Sequence, residues 1–285
     1  FVYIEGTHPY GSFKDLKYFA NFVKTTTKSE TINPMIEFAA SLACKYLRKD
    51  ELQLEEAHPK LSLCAKWLPR EKSKAHGWFA KRIAFMYYKN YMPDPKASKH
   101  NEAKKKCLTH YRQLLAELNK RLETTQVKQC QGKWSKINPN DVTSITMLKQ
   151  RKAFLNITQV GNERHPNDAD RVMCANKFTQ YINDAKEGKV KMKGTRCGIN
   201  DLVKDALNIA HNEMKNISTL ETEKQALNAQ WLDNSKQNHK LPNMIAMVDT
   251  SASMETDGCL PLHSALGLGI RVAEKSKIGK RVMTF

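Results

Sequence analysis

Asp249, Ser251 and Ser253 directly follow the apolar run at residues 244–248 and place one carboxylate and two hydroxyl groups on alternate positions. In an extended or looped backbone, alternate side chains share a face and can converge on one ion. Oxygen ligands without Cys or His suit a hard cation such as Mg²⁺. The motif predicts a cation site; a phosphate-handling aspartate and a buried strand with a polar turn are the alternatives.

Three enzymatic interpretations of this stretch each lack a required residue. An aspartyl-nucleophile phosphatase would carry a second acid two residues after the first, where this chain has Ser251. A serine hydrolase elbow needs glycine on both sides of its nucleophile, and Thr250 and Ala252 stand there instead. The spacing of glycine and lysine in a phosphate-binding loop is missing as well. We therefore expect neither an enzyme nor a small-molecule substrate.

The elements around the motif have the order strand, helix, strand. Residues 244–249 are expected to form a strand buried on both faces, 260–276 a helix, and 279–285 a second strand. This order is a βαβ unit, and ligands of such sheets bind where strands end. A parallel pair is not stable alone, so further strands are expected after Phe285 or from another chain.

Up to residue 240 the apolar residues recur at helical spacing, and no convincing strand is found. Asn33 before Pro34 predicts a capped helix start, Pro59 to Trp67 a third helix, and Ser218 with Glu221 a capping box. The fold class predicted is therefore mainly α. Residues 1–240 are expected to form a helical domain and residues 241–285 the start of an α/β domain.

The net charge of +18 is concentrated in one region, because residues 60–160 contain 22 Lys and Arg but only 6 Asp and Glu. Such a field attracts polyanions, with nucleic acid the leading class. Aromatic residues such as Trp78 and Tyr87 lie among these cations and could stack on bases. A helix with an apolar core stripe and a solvated basic face remains the alternative. Charge density selects as candidate RNA-binding residues Arg70, Lys72, Lys74, Lys81, Arg82, Lys104, Lys105 and Lys106.

The seven cysteines are odd in number, widely spaced and never in a C-x-x-C pair, which predicts reduced thiols in an intracellular protein. Cys107 and His110 lack the second close ligand pair of a zinc finger. No apolar run approaches the length of a membrane span, so no membrane partner is expected. The chain does not begin with Met, and we expect it to be an internal piece of a longer protein.

Four stretches carry a resemblance to a known family: "YGSFKDL", "AKWLPREKSK", "ITMLKQRKAF" and "NMIAMVDTSASM". Together they resemble an uncharacterised family of plants, microbes and large DNA viruses that joins a helical N-terminal region to a von Willebrand factor type A domain. Asp249-x-Ser251-x-Ser253 looks like the metal-ion-dependent adhesion site of that domain. The architecture is also similar to the TROVE module of the Ro autoantigen, a helical-repeat ring that binds RNA.

This resemblance implies a helical-repeat, TROVE-like domain followed by the truncated βαβ start of a Rossmann-like type A domain. Ser251 and Ser253 would bind Mg²⁺ directly and Asp249 through water, while a threonine and a further aspartate would follow Phe285. An acidic protein ligand would complete the coordination. We therefore expect a non-enzymatic, ribonucleoprotein-type RNA-binding protein in the cytoplasm, or in the virion if the source is viral. A protein-interaction or virion-associated scaffold without specific RNA binding is the alternative.

Overall fold

A computed structural model describes residues 11–27, 33–57, 59–91, 99–211 and 217–285. The chain divides into two compact units, Phe1–Val127 and Lys128–Phe285, called the first and the second unit below. The described residues are mainly helical, which confirms the predicted fold class. The domain boundary expected near residue 240 falls inside the second unit, where the last helices and the βαβ segment pack together.

The described residues of the first unit form five helices, and a short sixth helix spans the end of the unit. Asn33 caps the second of them as predicted, because its side chain accepts a hydrogen bond from the Met35 N–H at 2.9 Å, and Pro34 opens the first turn. The helix expected from Pro59 to Trp67 is shorter than predicted. The helices are α1 (Phe13–Thr27), α2 (Pro34–Leu52), α3 (Cys64–Trp67), α4 (Gly77–Tyr87), α5 (His100–Leu122) and α6 (Thr125–Cys130).

Small side chains let α2 and α4 approach closely in the core of the first unit. Ala40 and Ala43 on α2 and Ala80 and Ala84 on α4 are all fully buried in one apolar cluster. Tyr111 on α5 is fully buried too, and its hydroxyl donates to the Pro69 carbonyl at 3.1 Å. That bond satisfies the one polar group of this ring in the core. It also fixes α5 against the loop that precedes α4.

The second unit contains four further helices before its strands: α7 (Ser144–Phe154), α8 (Ala169–Lys186), α9 (Ile199–Ala210) and α10 (Ile217–Ser235). Asp168 caps α8 by accepting a hydrogen bond from the Arg171 N–H. The capping box expected at Ser218 differs from the structure, because α10 already includes Ile217 and places Ser218 in its first turn. α9 ends at Ala210, and residues 212–216 between α9 and α10 lie outside the described residues.

Two carboxylates, the partly exposed Asp170 and the buried Asp233, hold loops of the second unit in place. Asp170 accepts hydrogen bonds from the Trp134 and Ser135 N–H groups at 2.6 and 3.2 Å. Asp233, 3% exposed, accepts from the Gly194 N–H at 2.9 Å and from the Thr195 hydroxyl at 2.8 Å. Each carboxylate accepts hydrogen bonds from backbone N–H groups that have no partner within a helix or a sheet. Tertiary hydrogen bonds, not turn sequences, therefore fix these loops.

The βαβ unit predicted from the sequence is present. β1 (Ala246–Val248) pairs in parallel with β2 (Val282–Thr284), and α11 (Thr256–Lys275) connects them. Asp257, Gly258 and Cys259 have positive φ values, so the first turn of α11 is irregular and the regular helix begins near the predicted start at residue 260.

The expectation that the first strand is buried on both faces is wrong for the described chain. Val248 is 3% exposed, but its neighbour Met247 is 68% exposed. Only one side of β1 is covered, because α11 packs there. Gly269 of α11 makes this contact possible, since a Cβ atom at that position would lie 2.5 Å from Val248 Cγ2. The opposite side of the two strands is open in the structure.

Two further sequence predictions concern cysteines and membranes. All seven cysteines are described and none forms a disulfide. Burial raises the pKa of the Cys44, Cys174 and Cys197 thiols to about 11, so these thiols stay protonated at neutral pH. No helix within the described ranges has the length and apolar character to cross a membrane.

Candidate functional sites

The candidate RNA-binding residues lie in two groups on the first unit. Arg70, Lys72 and Lys74 are exposed on the loop before α4, and Lys104 to Lys106 lie in the first turns of α5. The backbone carbonyl of Tyr88, just after α4, accepts a hydrogen bond from the thiol of Cys107 at 3.6 Å. Cys107 directly follows Lys106. The two groups therefore flank opposite ends of α4, whose 11 residues span about 16 Å.

Lys81 and Arg82 lie on α4 between these groups and differ from each other. Lys81 is exposed. Arg82 is half-buried, and its Nε lies 2.6 Å from Oε1 of Glu37 on α2. An intramolecular carboxylate already neutralises that guanidinium, so Arg82 is a weaker candidate for phosphate binding than its neighbours.

Aromatic rings lie beside the lysines at positions 104–106. Lys106 and three of these rings form what we call the α5 cluster, which consists of Tyr88, Tyr91, Lys106 and His110. The Tyr91 ring stacks on His110 at a centroid distance of 5.3 Å and on Tyr88 at 5.7 Å. Lys106 Nζ lies 4.7 Å from the centre of the Tyr91 ring. Tyr91 remains 44% exposed, so part of this platform faces solvent. Burial raises the pKa of Tyr88 to about 12, which keeps its phenol neutral beside a polyanion.

A second group of cations and rings was not selected from the sequence. This α1 cluster consists of Lys14, Lys17, Tyr18, Lys66 and Trp67. Lys14 and Lys17 lie 5.4 and 5.6 Å from the Tyr18 ring centre, and Lys66 lies 5.4 Å from that of Trp67. Tyr18 is 50% exposed. The spacing of Lys14, Lys17 and Tyr18 along one helix face was a usable signal, but the contact with Trp67 depends on tertiary packing.

The α1 cluster adjoins the Arg70 group through His76. The Tyr18 and His76 rings meet edge to face at 5.3 Å. Burial and the nearby Lys17 ammonium lower the pKa of His76, so the imidazole is neutral at physiological pH. Both groups of predicted cations therefore have rings beside them.

The predicted metal loop follows β1 and is exposed. The Ser251 and Ser253 Oγ atoms lie 2.9 Å apart, and Oδ1 of Asp249 accepts a hydrogen bond from the Ser251 N–H at 2.8 Å. This bond and a second one from Ser251 lower the pKa of Asp249, which keeps the carboxylate ionised. The loop is held against the second strand, since the Thr250 hydroxyl donates to the Phe285 carbonyl at 3.3 Å.

This geometry fits part of an oxygen-ligand shell. The two serine hydroxyls form a hydrogen bond with each other at 2.9 Å, which brings both oxygens to one side of the loop. No cluster of three His, Cys, Asp or Glu that could hold a metal occurs among the described residues. A cation at this loop would therefore depend on the two hydroxyls, one carboxylate and ligands from elsewhere.

Comparisons with known proteins give a family but no fold. Residues 13–235 match a domain of unknown function, DUF2828, and the chain belongs to this family. The uncharacterized protein L728 of Acanthamoeba polyphaga mimivirus is 26% identical over 229 residues, which cover 79% of this chain and 35% of the viral protein. The chain thus spans about a third of that relative's length. No solved structure matches. The predicted membership of an uncharacterised family with viral members is confirmed.

Proposed function

We propose that this member of the DUF2828 family is a non-enzymatic RNA-binding protein that also carries a metal-dependent protein-interaction loop. The observation that carries the proposal is the α5 cluster, where an exposed tyrosine stacks on two rings beside a run of three lysines. The charge of residues 60–160 supports it. The proposed ligand is the folded RNA of a ribonucleoprotein particle. The TROVE module binds such RNA, and this chain would share its helical repeats.

RNA would bind by stacking and by phosphate contacts together. A base would stack on the exposed part of Tyr91, while Lys105 and Lys106 pair with adjacent phosphates. The α1 cluster offers the same combination through Tyr18 and Lys17. Stacking tolerates any base because every base has a π-face, so the sequence preference should be weak. Affinity should fall steeply with salt, because each bound phosphate releases counterions.

Fluorescence anisotropy of the full chain with single-stranded and hairpin RNA, over a salt series, tests this proposal. Tyr91→Ala should weaken binding about 5- to 100-fold, since stacking contributes about 1–3 kcal/mol per base. The matched control is Phe38→Ala on α2, which removes another half-exposed ring. Reversing Lys104 to Lys106 should reduce the salt slope, whereas reversing the exposed Lys186, Lys224 and Lys236 should not. Absence of RNA binding at low salt would end the proposal.

The loop after β1 is proposed to be the first part of a type A metal site. Ser251 and Ser253 would bind Mg²⁺ directly and Asp249 through water, and an acidic protein ligand would complete the shell. The position of this carboxylate and the two hydroxyls on one exposed loop directly after β1 supports this assignment. When bound, the cation would supply a Lewis-acidic contact for the partner's carboxylate.

Thermal unfolding of the full chain with and without Mg²⁺ or Mn²⁺ tests the metal loop. Metal that binds only the folded state raises the midpoint by mass action. Asp249→Ala and Ser253→Ala should abolish this rise, while Thr256→Ala, an exposed hydroxyl three residues further on, should retain it. An equal rise in all variants would locate the metal elsewhere.

A scaffold without specific RNA binding is the second candidate. It is favoured by the exposed apolar side chains on the open side of the strands, where Met247, Met283 and Phe285 are 68%, 54% and 71% exposed. Such a surface suits a protein contact. Under this alternative, RNA affinity is weak and unaffected by Tyr91→Ala. The location proposed is the cytoplasm for either candidate, or the virion for a viral member.

A further inference from the structure

The second unit contains a polar cavity of about 430 Å³ between α7, α9 and the loop at residues 159–164. Five cations contribute to its lining: Lys149, Arg151, Lys152, Arg164 and Lys204. Two carboxylates, Asp201 and Asp205, contribute from α9. Neither the predicted metal loop nor the two aromatic clusters include any of these residues.

Arg151 is the buried member of this lining, with 2% exposure. Its Nη1 lies 2.7 Å from Asp205 Oδ2, and its Nη2 lies 3.4 Å from Oε1 of the buried Glu223. The ion pair with Asp205 satisfies Nη1, whereas the Nε atom makes no hydrogen bond with any residue that the structure describes. Buried donors need an acceptor, and a ligand oxygen in the cavity could supply it. A guanidinium held by two carboxylates cannot turn away to find another partner.

The sign of the charge selects the ligand class. Even when Glu223 is counted with the lining acids, five cations stand against three carboxylates. Lys149, Arg164 and Lys204 are exposed at the rim, so they can raise the local concentration of anions. Guanidinium groups bind phosphate and carboxylate oxygens through paired N–H donors, and the surplus of cations favours the more highly charged phosphate.

We propose that this cavity binds a phosphate group. Lys149, Arg164 and Lys204 would supply the positive charge, and Arg151, already neutralised by Asp205 and Glu223, would supply only a hydrogen bond from Nε. The volume falls in the range of small-ligand pockets. It exceeds the space that inorganic phosphate alone would fill, which leaves room for the organic part of a phosphate ester. A free nucleotide and the phosphorylated end of an RNA share this chemistry. The proposal does not depend on RNA binding by the first unit.

Isothermal titration of the full chain with pyrophosphate and with AMP, at about 0.15 M ionic strength, tests the site. Lys204→Glu and Arg164→Glu should each weaken binding about tenfold. Lys236→Glu is the matched control, because this exposed lysine belongs to the same unit but not to the cavity. The rim variants are preferred to Arg151 variants, which remove a buried ion pair. No binding of either probe, or equal loss in the control, would overturn the proposal.

Two further measurements place the ligand and identify its source. Pyrophosphate should protect Lys149 and Lys204, but not Lys236, from chemical acetylation read out by mass spectrometry; uniform protection contradicts the site. RNA oligonucleotides with a 5′-phosphate or a 5′-hydroxyl are then compared with AMP. Tighter binding of AMP supports a nucleotide ligand, and a preference for phosphorylated RNA that Lys204→Glu removes supports an RNA end.

Discussion

In the first unit lysines lie over exposed rings, as Lys106 does at 4.7 Å from Tyr91, whereas in the second unit buried arginines cover tryptophans. Arg171 lies 3.6 Å from the Trp134 ring centre and Arg271 lies 4.3 Å from that of Trp231, and both arginines are 5% exposed. The same pairing of cation and ring therefore serves different ends. A hydrated lysine at the surface can exchange its ring for a phosphate, while a buried guanidinium is fixed by the hydrogen bonds it donates.

The largest effect is expected from removing the buried cation Arg151. Arg151→Met removes the guanidinium that pairs with the buried Glu223, and breaking such a pair costs about 3–5 kcal/mol of unfolding free energy. Urea unfolding followed by circular dichroism measures the loss. Lys149→Met, at an exposed position of the same helix, is the control and should be near neutral. The double variant Arg151→Met/Glu223→Met should recover part of the stability; a single variant as stable as wild type contradicts the buried pair.

Exchanging arginine and lysine at one cation–ring contact in each unit tests whether the two contacts have different roles. Arg171→Lys should lower the unfolding free energy by about 1–3 kcal/mol, since lysine cannot both cover Trp134 and donate to the Ala153 carbonyl as Arg171 does at 2.7 Å. Lys106→Arg should leave stability unchanged and preserve RNA binding. Equal effects of the two exchanges on urea unfolding would remove the distinction between the units.

The hydrogen-bonded carboxylates of the second unit, Asp170 and Asp233, predict that its stability falls in acid. Burial alone would raise the pKa values of Asp170 and Asp233, but hydrogen bonds from Ser135 and Trp134, and from Gly194 and Thr195, outweigh it and lower both below 3.8. A lowered pKa stabilises the fold above the unfolded-state value, and this contribution disappears as the pH falls through the folded-state value. Stability should therefore decrease below about pH 4. Asp170→Asn should flatten this decrease in pH-dependent urea unfolding, while Asn in place of the exposed Asp141 should not.

The smallest effect is expected for the cation that already has a partner. Arg82→Gln removes a partly exposed ion pair with Glu37, which is worth about 0–1 kcal/mol of stability. Because Glu37 already neutralises Arg82, RNA affinity should change less than on replacing the exposed Lys105. Anisotropy titrations of the two variants at one salt concentration provide the comparison. A greater loss for Arg82→Gln would mean that this guanidinium leaves Glu37 to bind RNA.

Local patterns predicted the elements that depend on neighbouring residues. Asn33 and Pro34 marked a helix start, and the apolar run before Asp249 with the helix after it marked the βαβ unit. Each of those signals involves only a few neighbouring residues, so the sequence alone is enough to recognise it. The extent of burial was not predictable in this way. Met247 lies on an open side of β1 because burial depends on what packs against a strand, not on the apolarity of the strand itself.

The candidate sites also differ in whether neighbouring residues or tertiary contacts define them. Charge density selected Lys104 to Lys106 but also Arg82, whose partner Glu37 lies 45 residues away in the chain. The α1 cluster could not be predicted from the sequence, because Trp67 meets Lys14 only through the packing of α3 against α1. The cavity proposed to bind phosphate could not be predicted from the sequence, since Lys149, Arg164 and Lys204 come from two helices and a loop. Composition identifies a basic chain but not which cations remain unneutralised.

By itself the sequence determined the mainly helical fold, the parallel strand pair after residue 240, the basic region and the D-x-S-x-S loop. These follow from periodicity, charge and short spacings, which are properties of adjacent residues. Tertiary structure decided that Arg151 is buried with Glu223, that Tyr91 stacks on His110, and that Ser251 and Ser253 lie 2.9 Å apart. Only the packed chain decides these contacts, because the distances between side chains depend on how distant elements fit together.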